Sequence, residues 1–261
     1  MLLKCPIFRA LPCGALAEVG EKKAGAIRMK FDIAGWQAWA PGLATEQHWQ
    51  QWCAQPYIAT GPLQPDLSFL PAMQRRRLSP LARMVFQTGW PLAEQTGKQP
   101  VVFCSRHGET PRNLGLLTAL GQGEALSPTH FSLSVHNAII GLWSIFREDD
   151  SEMTALAASH AGLELAVLEA VLLLQSGAAS VLVLLAEDEQ PQLYRPWIDD
   201  VPFAHALALQ IVPGGVWQLE PSAQQLPECR NPLCPPALTL LPLLLGEQKT
   251  LQTGNWRWSR V

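Results

Sequence analysis

A chain of 261 residues, 48% of them hydrophobic, is long enough to bury a sizeable core as one large domain or two small ones. A net charge of −3 offers nothing to attract a phosphate backbone, and the single basic run, Arg75-Arg76-Arg77, is too short for a nucleic-acid footprint. Charged residues make up 16% of the chain against an ordinary value of about 25%, and there are ten tryptophans, so part of the surface is expected to be covered by a protein partner.

The first 28 residues show no periodicity, and their apolar stretches are broken by Lys4, Arg9 and Pro12. They read as a mobile extension or an upstream start and not as a secretory signal. The fold is expected to begin near Met29, with a first strand over about Lys30–Ile33 and then a tryptophan- and proline-rich loop punctuated by Pro62, Pro65 and Pro71. Ser79-Pro80 supplies an N-cap and a first helical position, and Leu81, Met84, Val85 and Thr88 give the helix its spacing. Val101-Val102-Phe103-Cys104 is a continuous apolar run of the kind found in a strand covered on both faces.

A second helix is predicted over Pro111–Leu120, with Leu114, Leu117 and Leu120 on one side and Gly121-Gln122-Gly123 as its stop. Phe131–Ser134 and His136–Phe146 read as a strand and a helix, and Thr154–Ala158 as the next strand. Leucines and valines surround almost the whole circumference of the helix Ala161–Leu174, which is therefore expected to lie between two layers. The run Leu163–Leu174, interrupted by Glu164 and Glu169, is too short to span a bilayer.

Ala179–Leu185 is another apolar strand. In the stretch 203–212 the large residues Phe203, His205, Leu207, Leu209 and Ile211 alternate with Ala204, Ala206, Ala208, Gln210 and Val212, giving one large face and one small face against which a helix can pack closely. Pro213-Gly214-Gly215 is read as a tight hairpin turn, and Leu238–Leu245 as a last short helix or strand. The alternation of strand and helix predicts an α/β fold, and no internal repeat is present.

The six cysteines are scattered, which fits a reducing cytoplasm better than a disulfide framework. Cys229 and Cys234 lack a second pair, and His205 lies too far upstream to complete a zinc spacing, so no metal site and no cofactor is expected.

Two motifs carry chemistry. Arg106-His107-Gly108-Glu109 follows an apolar strand and looks like the signature of histidine phosphatases, in which a histidine takes the phosphoryl group and an arginine steadies its oxygens. That motif normally sits on the first strand of its domain, whereas here a strand, a long loop and a helix precede it. The bland reading has Arg106 ending a strand and Glu109 favouring the positive end of a helix. The second motif is the junction Ser159-His160-Ala161-Gly162, which runs from a strand-like stretch into a long helix. Such a helix start stabilises a thiolate, and here it holds a histidine.

Taken as a block, Arg75–Met84, Ser105–Glu109 and Leu126-Ser127-Pro128-Thr129-His130-Phe131-Ser132-Leu133-Ser134-Val135-His136-Asn137-Ala138 resemble the N-terminal half of a β-ketoacyl synthase. More narrowly the chain is similar to the short β-ketoacyl-synthase-like proteins called chain-length factors, found with aryl polyene biosynthesis systems in Gram-negative bacteria. The resemblance covers roughly Met29 to Gln218 and takes in the Arg-His-Gly-Glu string. It implies a thiolase-like α/β domain, a single half of the complete fold, with a mixed five-stranded sheet flanked by helices from residue 29 to 261.

Counting back without gaps from Ser176-Gly177, the nucleophilic cysteine of complete ketosynthases falls on His160, and the second half that carries the family's two histidines is missing. The resemblance therefore implies no catalytic residue. It implies instead a scaffold that pairs with an active ketosynthase and meets acyl carrier protein only indirectly. The same resemblance assigns the dimer contact to Phe131–Phe146, with a strand around Phe131–Ser134 adding edge to edge across the interface. Phe131, Ser134, His136 and Asn137 are then expected at the contact, and Ile139, Ile140, Leu142 and Trp143 are expected to set the depth of the partner's acyl tunnel.

Overall fold

In a computed structural model that describes residues 28–62, 64–222 and 232–261, the chain forms a three-layer α/β/α sandwich around a seven-stranded mixed sheet. The strands are β1 (Met29–Trp39), β2 (Val101–Cys104), β3 (Met153–Leu156), β4 (Val181–Glu187), β5 (His205–Pro221), β6 (Thr250–Thr253) and β7 (Trp256–Arg260). The helices are α1 (Glu46–Ala54), α2 (Ala72–Arg75), α3 (Pro80–Thr96), α4 (Thr110–Gly121), α5 (Pro128–Ser132), α6 (Ala138–Arg147), α7 (Gly162–Gln175) and α8 (Leu241–Leu244). The expected extension at 1–28 lies, apart from Arg28, outside the described residues, as does Cys229.

The sheet corrects the expected count of five strands and also explains it. β3, β2 and β4 are parallel, β5 runs antiparallel to β4, and β1 runs antiparallel to β5, giving the five-stranded order β3-β2-β4-β5-β1. Past residue 216, β5 continues beyond the end of β4, and the β6–β7 hairpin pairs with that overhang. The hairpin was missed from sequence. Its signals were the Gly254-Asn255 dipeptide, with Gly254 at φ 54°, and the alternation Trp256-Arg257-Trp258.

Alternation along the strands divides the core in two. Val102, Val183, Leu207, Leu209 and Ile211 face α7, while Val101, Phe103, Leu182, Leu184, Ala206 and Ala208 face α3 and α6. The small alanine face of β5 does admit a helix closely. α3 lies on it with Gly89, where an added Cβ would stand 2.6 Å from Leu184 Cδ2 and 3.0 Å from Trp143 Cη2. Ser79 caps α3 as the sequence predicts, its hydroxyl accepting from the Ala82 N–H at 3.1 Å.

Three elements differ from expectation for identifiable reasons. Where a strand is predicted over Phe131–Ser134, Phe131 and Ser132 instead close helix α5 and Leu133 caps it, because Ser127-Pro128 repeats the cap-and-proline device of Ser79-Pro80 and the Ser127 hydroxyl accepts from the His130 N–H at 3.3 Å. The turn predicted at Pro213-Gly214-Gly215 is a wide bulge inside a continuous β5. Asp32 on β1 pairs with Val212 and Phe31 pairs with Trp217, and the Asp32 carboxylate accepts from the Val216 N–H at 2.7 Å across the extra residues. β1 also runs on to Trp39, well past Ile33, because β5 offers it a partner along its whole length.

α7 meets the expectation of a two-layer position over part of its surface only. Leu163, Ala166, Val167, Ala170 and Val171 are buried, and Glu164 in its first turn accepts from Trp258 of the hairpin at 3.1 Å. The leucines of the C-terminal segment, Leu238, Leu240, Leu241 and Leu243, fill the same side and are fully buried. Leu165 and Leu172 remain exposed, with the half-buried Leu168 between them.

Candidate functional site

Parallel strands bring their C-terminal ends to one edge of the sheet, and both sequence motifs stand there. After β2 the chain turns sharply through Ser105–Gly108, with Gly108 at φ 52° packed against the His136 ring, where an added Cβ would stand 3.0 Å from Cδ2. The turn is held from β4. The Glu187 carboxylate accepts from the Arg106 N–H, from the His107 N–H at 3.2 Å and from the Ser105 hydroxyl at 3.1 Å. Burial pushes Glu187 up to about 7, against the pull of the Arg106 N–H and the charge of His107.

The side chains of the Arg-His-Gly-Glu string are equally engaged. Arg106 and His107 both reach Asp200, at 3.0 Å each. Burial alone would raise the Asp200 carboxyl, but the His107 hydrogen bond and the charges of His107 and Arg106 outweigh it and hold Asp200 at about 2. Glu109 is buried, taking the Ser79 hydroxyl at 2.5 Å and Arg112 at 3.2 Å. The string is thus a structural knot that joins β2, β4, the start of α3 and the loop before β5. The Nε2 of His107, the atom tied to Asp200, is not offered to a substrate, and the phosphatase alternative finds no support in this geometry. Sequence reasoning had no signal for Asp200 or Glu187, which lie 80 and more residues away.

At the other motif, His160 is exposed and precedes the helix, while Ala161 is the N-cap of α7 in the left-handed region at φ 53° and ψ 33°. A non-glycine residue there stores backbone strain of about 1 kcal/mol, as sharp strand-to-helix elbows do. Gly162 follows because the Cys104 sulfur stands 3.1 Å from where its Cβ would be. That thiol is buried and pushed up to about 12, first by desolvation and then by the Glu187 and Glu164 carboxylates, the wrong direction for a nucleophile. Burial also raises Cys53 to about 12 and Cys234 to about 11.

The residues expected at a partner contact divide by position. Phe131 is 63% exposed, and Asn137 lies on the outer face of α6 in line with Gly141 and the exposed Ile145. Ser134 and His136 tie the segment down: the Ser134 carbonyl accepts from Asn113 at 3.2 Å, and His136 Nε2 lies 2.8 Å from the Ser105 carbonyl. Ile139, Ile140, Leu142 and Trp143 are buried in the chain's own core beneath α3. Trp143 meets Phe86 edge-on at 5.2 Å and lies under the Arg147 guanidinium at 5.3 Å.

Sequence reasoning missed that β3 is an edge of the sheet, as β1 and β6 also are among the described strands. β3 pairs with β2 alone among the described strands and carries neither charge nor proline. On the α7 side its Thr154 hydroxyl meets Glu169, and on the other side Met153 and Ala155 pack against the cluster that holds the buried residues of α6. Leu117 and Leu120 of α4, none of whose residues is buried, are exposed, so the leucine face predicted for it points outward.

A three-layer α/β/α half-domain with an elbow at the start of its central helix defines the class, and comparison agrees. Residues 49–259 match the family model of the β-ketoacyl synthase N-terminal domain, and the chain belongs to that family. The particular resemblance is to a chain from the complex of the ketosynthase ApeO with its chain length factor ApeC from Xenorhabdus doucetiae. The TM-score is 0.77 and the identity 29%, over 89% of this chain and 100% of that one. The ishigamide ketosynthase/chain length factor aligns with TM-score 0.58 and 13% identity over 73% of this chain and 65% of its own. A β-ketoacyl synthase from Burkholderia phymatum aligns with 0.56 and 11% over 71% and 59%. These two show the fold alone. Comparison with curated protein sequences finds no match. No helix among the described residues is long and apolar enough to cross a membrane.

Proposed function

We propose that the chain is a non-catalytic β-ketoacyl-synthase-like subunit, a chain-length factor that pairs with an active ketosynthase in fatty-acid or polyketide-type chain extension, of the aryl polyene kind. The observation that carries this reading is the similarity, at 29% identity, to the whole of a chain taken from a ketosynthase–chain length factor complex. The elbow supports it: residues 159–161 are Ser-His-Ala, with no sulfur to hold an acyl thioester, and the nearby Cys104 thiol is buried in its protonated form.

In this reading the ketosynthase docks on β3, whose outward backbone groups supply affinity without special side chains. Ile145, Gly141 and Asn137 of α6, together with Phe131, extend the contact on one side of the sheet, and Leu165, Leu168 and Leu172 of α7 extend it on the other. Ile139, Ile140, Leu142 and Trp143 act on tunnel depth through the position of α6. Acyl carrier protein meets the ketosynthase and not this chain. Co-expression with an adjacent-gene ketosynthase tests the pairing: a stable 1:1 complex is expected, and a well-behaved chain with no affinity for such a subunit contradicts it.

A further inference from the structure

Resting on the reading of β3 as the partner's edge, we propose that Glu169 makes this chain reject a second copy of itself and select an edge strand whose facing side chain is neutral or basic. The argument starts from backbone geometry. In the parallel ladder the Glu152 carbonyl accepts from Val101 N–H and the Leu156 carbonyl accepts from Ser105 N–H. Residues 152, 154 and 156 therefore spend their backbone groups on β2, and Met153 and Ala155 turn theirs outward. Two copies pairing antiparallel on this edge satisfy those groups when Met153 of each meets Ala155 of the other, which puts the two-fold axis through Thr154.

Thr154 shares a face with Val102, the α7 side of the sheet, and its hydroxyl donates to the Glu169 carboxylate at 3.2 Å. At a non-hydrogen-bonded antiparallel pair the two Thr154 Cα atoms would lie about 4.5 Å apart, bringing the two Glu169 carboxylates to within roughly 10 Å of each other. Both would stand beside the apolar Leu165, Leu168 and Leu172, which exclude the water that would otherwise screen them. A partner strand that brings no acid to this position escapes the repulsion, so the charge discriminates by penalty rather than by added attraction. Backbone self-complementarity alone would make this uncharged edge sticky toward its own kind.

Sedimentation equilibrium on the full chain and on three variants tests the proposal. Wild type and Glu169→Lys, each alone, are expected to be monomeric at low micromolar concentration. Glu169→Gln should self-associate at least about tenfold more tightly, and an equimolar mixture of wild type with Glu169→Lys should form dimers that neither forms alone. Ala155→Pro removes an outward N–H without touching the β2 ladder, and in the Glu169→Gln background it should restore the monomer. Wild type that dimerises as tightly as Glu169→Gln, a mixture that gains nothing, or Glu169→Gln dimers that survive Ala155→Pro would each overturn it. Binding of the wild-type chain to a ketosynthase is measured separately: its failure sinks the chain-length-factor reading and leaves the charge series standing, and the converse holds.

Discussion

At the scale of single residues, two groups show how burial sets behaviour. His205 is fully buried with Nδ1 on the Phe203 carbonyl at 2.9 Å, and desolvation lowers it to about 4 from an ordinary value near 6.5. Because the unfolded chain takes up a proton that the folded one refuses, stability is lost as pH falls from 6.5 to 4, by about 3 kcal/mol from this group. Glu187 works in the opposite sense. Raised by burial to about 7, it is ionised at lower pH in the unfolded chain than in the folded one, so its contribution fades as pH rises from 4.5 to 7. Asp188, raised by burial to about 6, adds to the slope of Glu187, and His205 opposes both between pH 4.5 and 6. Denaturant titrations across that window should show a shallower decline of stability with pH for wild type than for His205→Gln. An unchanged profile would contradict the assignment.

Gly89 belongs to the same scale. Alanine there would press on Leu184 and Trp143 where no space remains, and Gly89→Ala should lower the unfolding free energy by about 1 to 3 kcal/mol with an unchanged denaturant slope. The close approach was legible as the alanine-rich face of 203–212, but the glycine that exploits it was not, since nothing in the spacing of α3 marks which turn meets the sheet.

Among elements, those governed by local rules were readable and those governed by pairing were not. β2 and the capped start of α3 stand where the apolar run and the Ser-Pro device put them. At Ser127-Pro128 the identical device competes with the alternating Phe131-Ser132-Leu133-Ser134, and the cap prevails, so helix forms where a strand is expected. β1 and β5 each owe their length to the other, which no local signal carries, and a glycine pair bridged by Asp32 looks the same in sequence as one that turns a hairpin. The β6–β7 hairpin is the element whose loss should be felt furthest. Trp258 is fully buried, stacks edge-on against Phe31 at 6.2 Å and donates to Glu164. Trp258→Ala should cost about 3 to 5 kcal/mol and leave a buried carboxylate short of a donor, whereas Trp258→Phe, which keeps the ring, should recover much of the packing. Equal losses for both would show that the indole N–H dominates.

For the molecule as a whole, the β-ketoacyl synthase resemblance was carried by strings that prove to be structural. Arg106, His107 and Glu109 fasten the loop after β2 to β4, to α3 and to Asp200, a structural role that needs no catalysis by the string itself. The candidate contact surface was legible in part. Phe131 and Asn137 are exposed, but the edge strand on this side of the sheet is β3 and not Phe131–Ser134, because a sheet's edge is set by strand order and that order cannot be read from one strand at a time. The fold presents an elbow and an edge, and Ser159, His160 and Ala161 at that elbow carry no sulfur.

Intact-mass analysis of the chain and its ketosynthase, incubated together with an acyl thioester donor and observed under native conditions, tests that division of labour most directly. A 1:1 complex carrying its acyl group on the ketosynthase and none on this chain is the predicted result. An acyl group recovered on this chain, or two subunits that never associate, would contradict it.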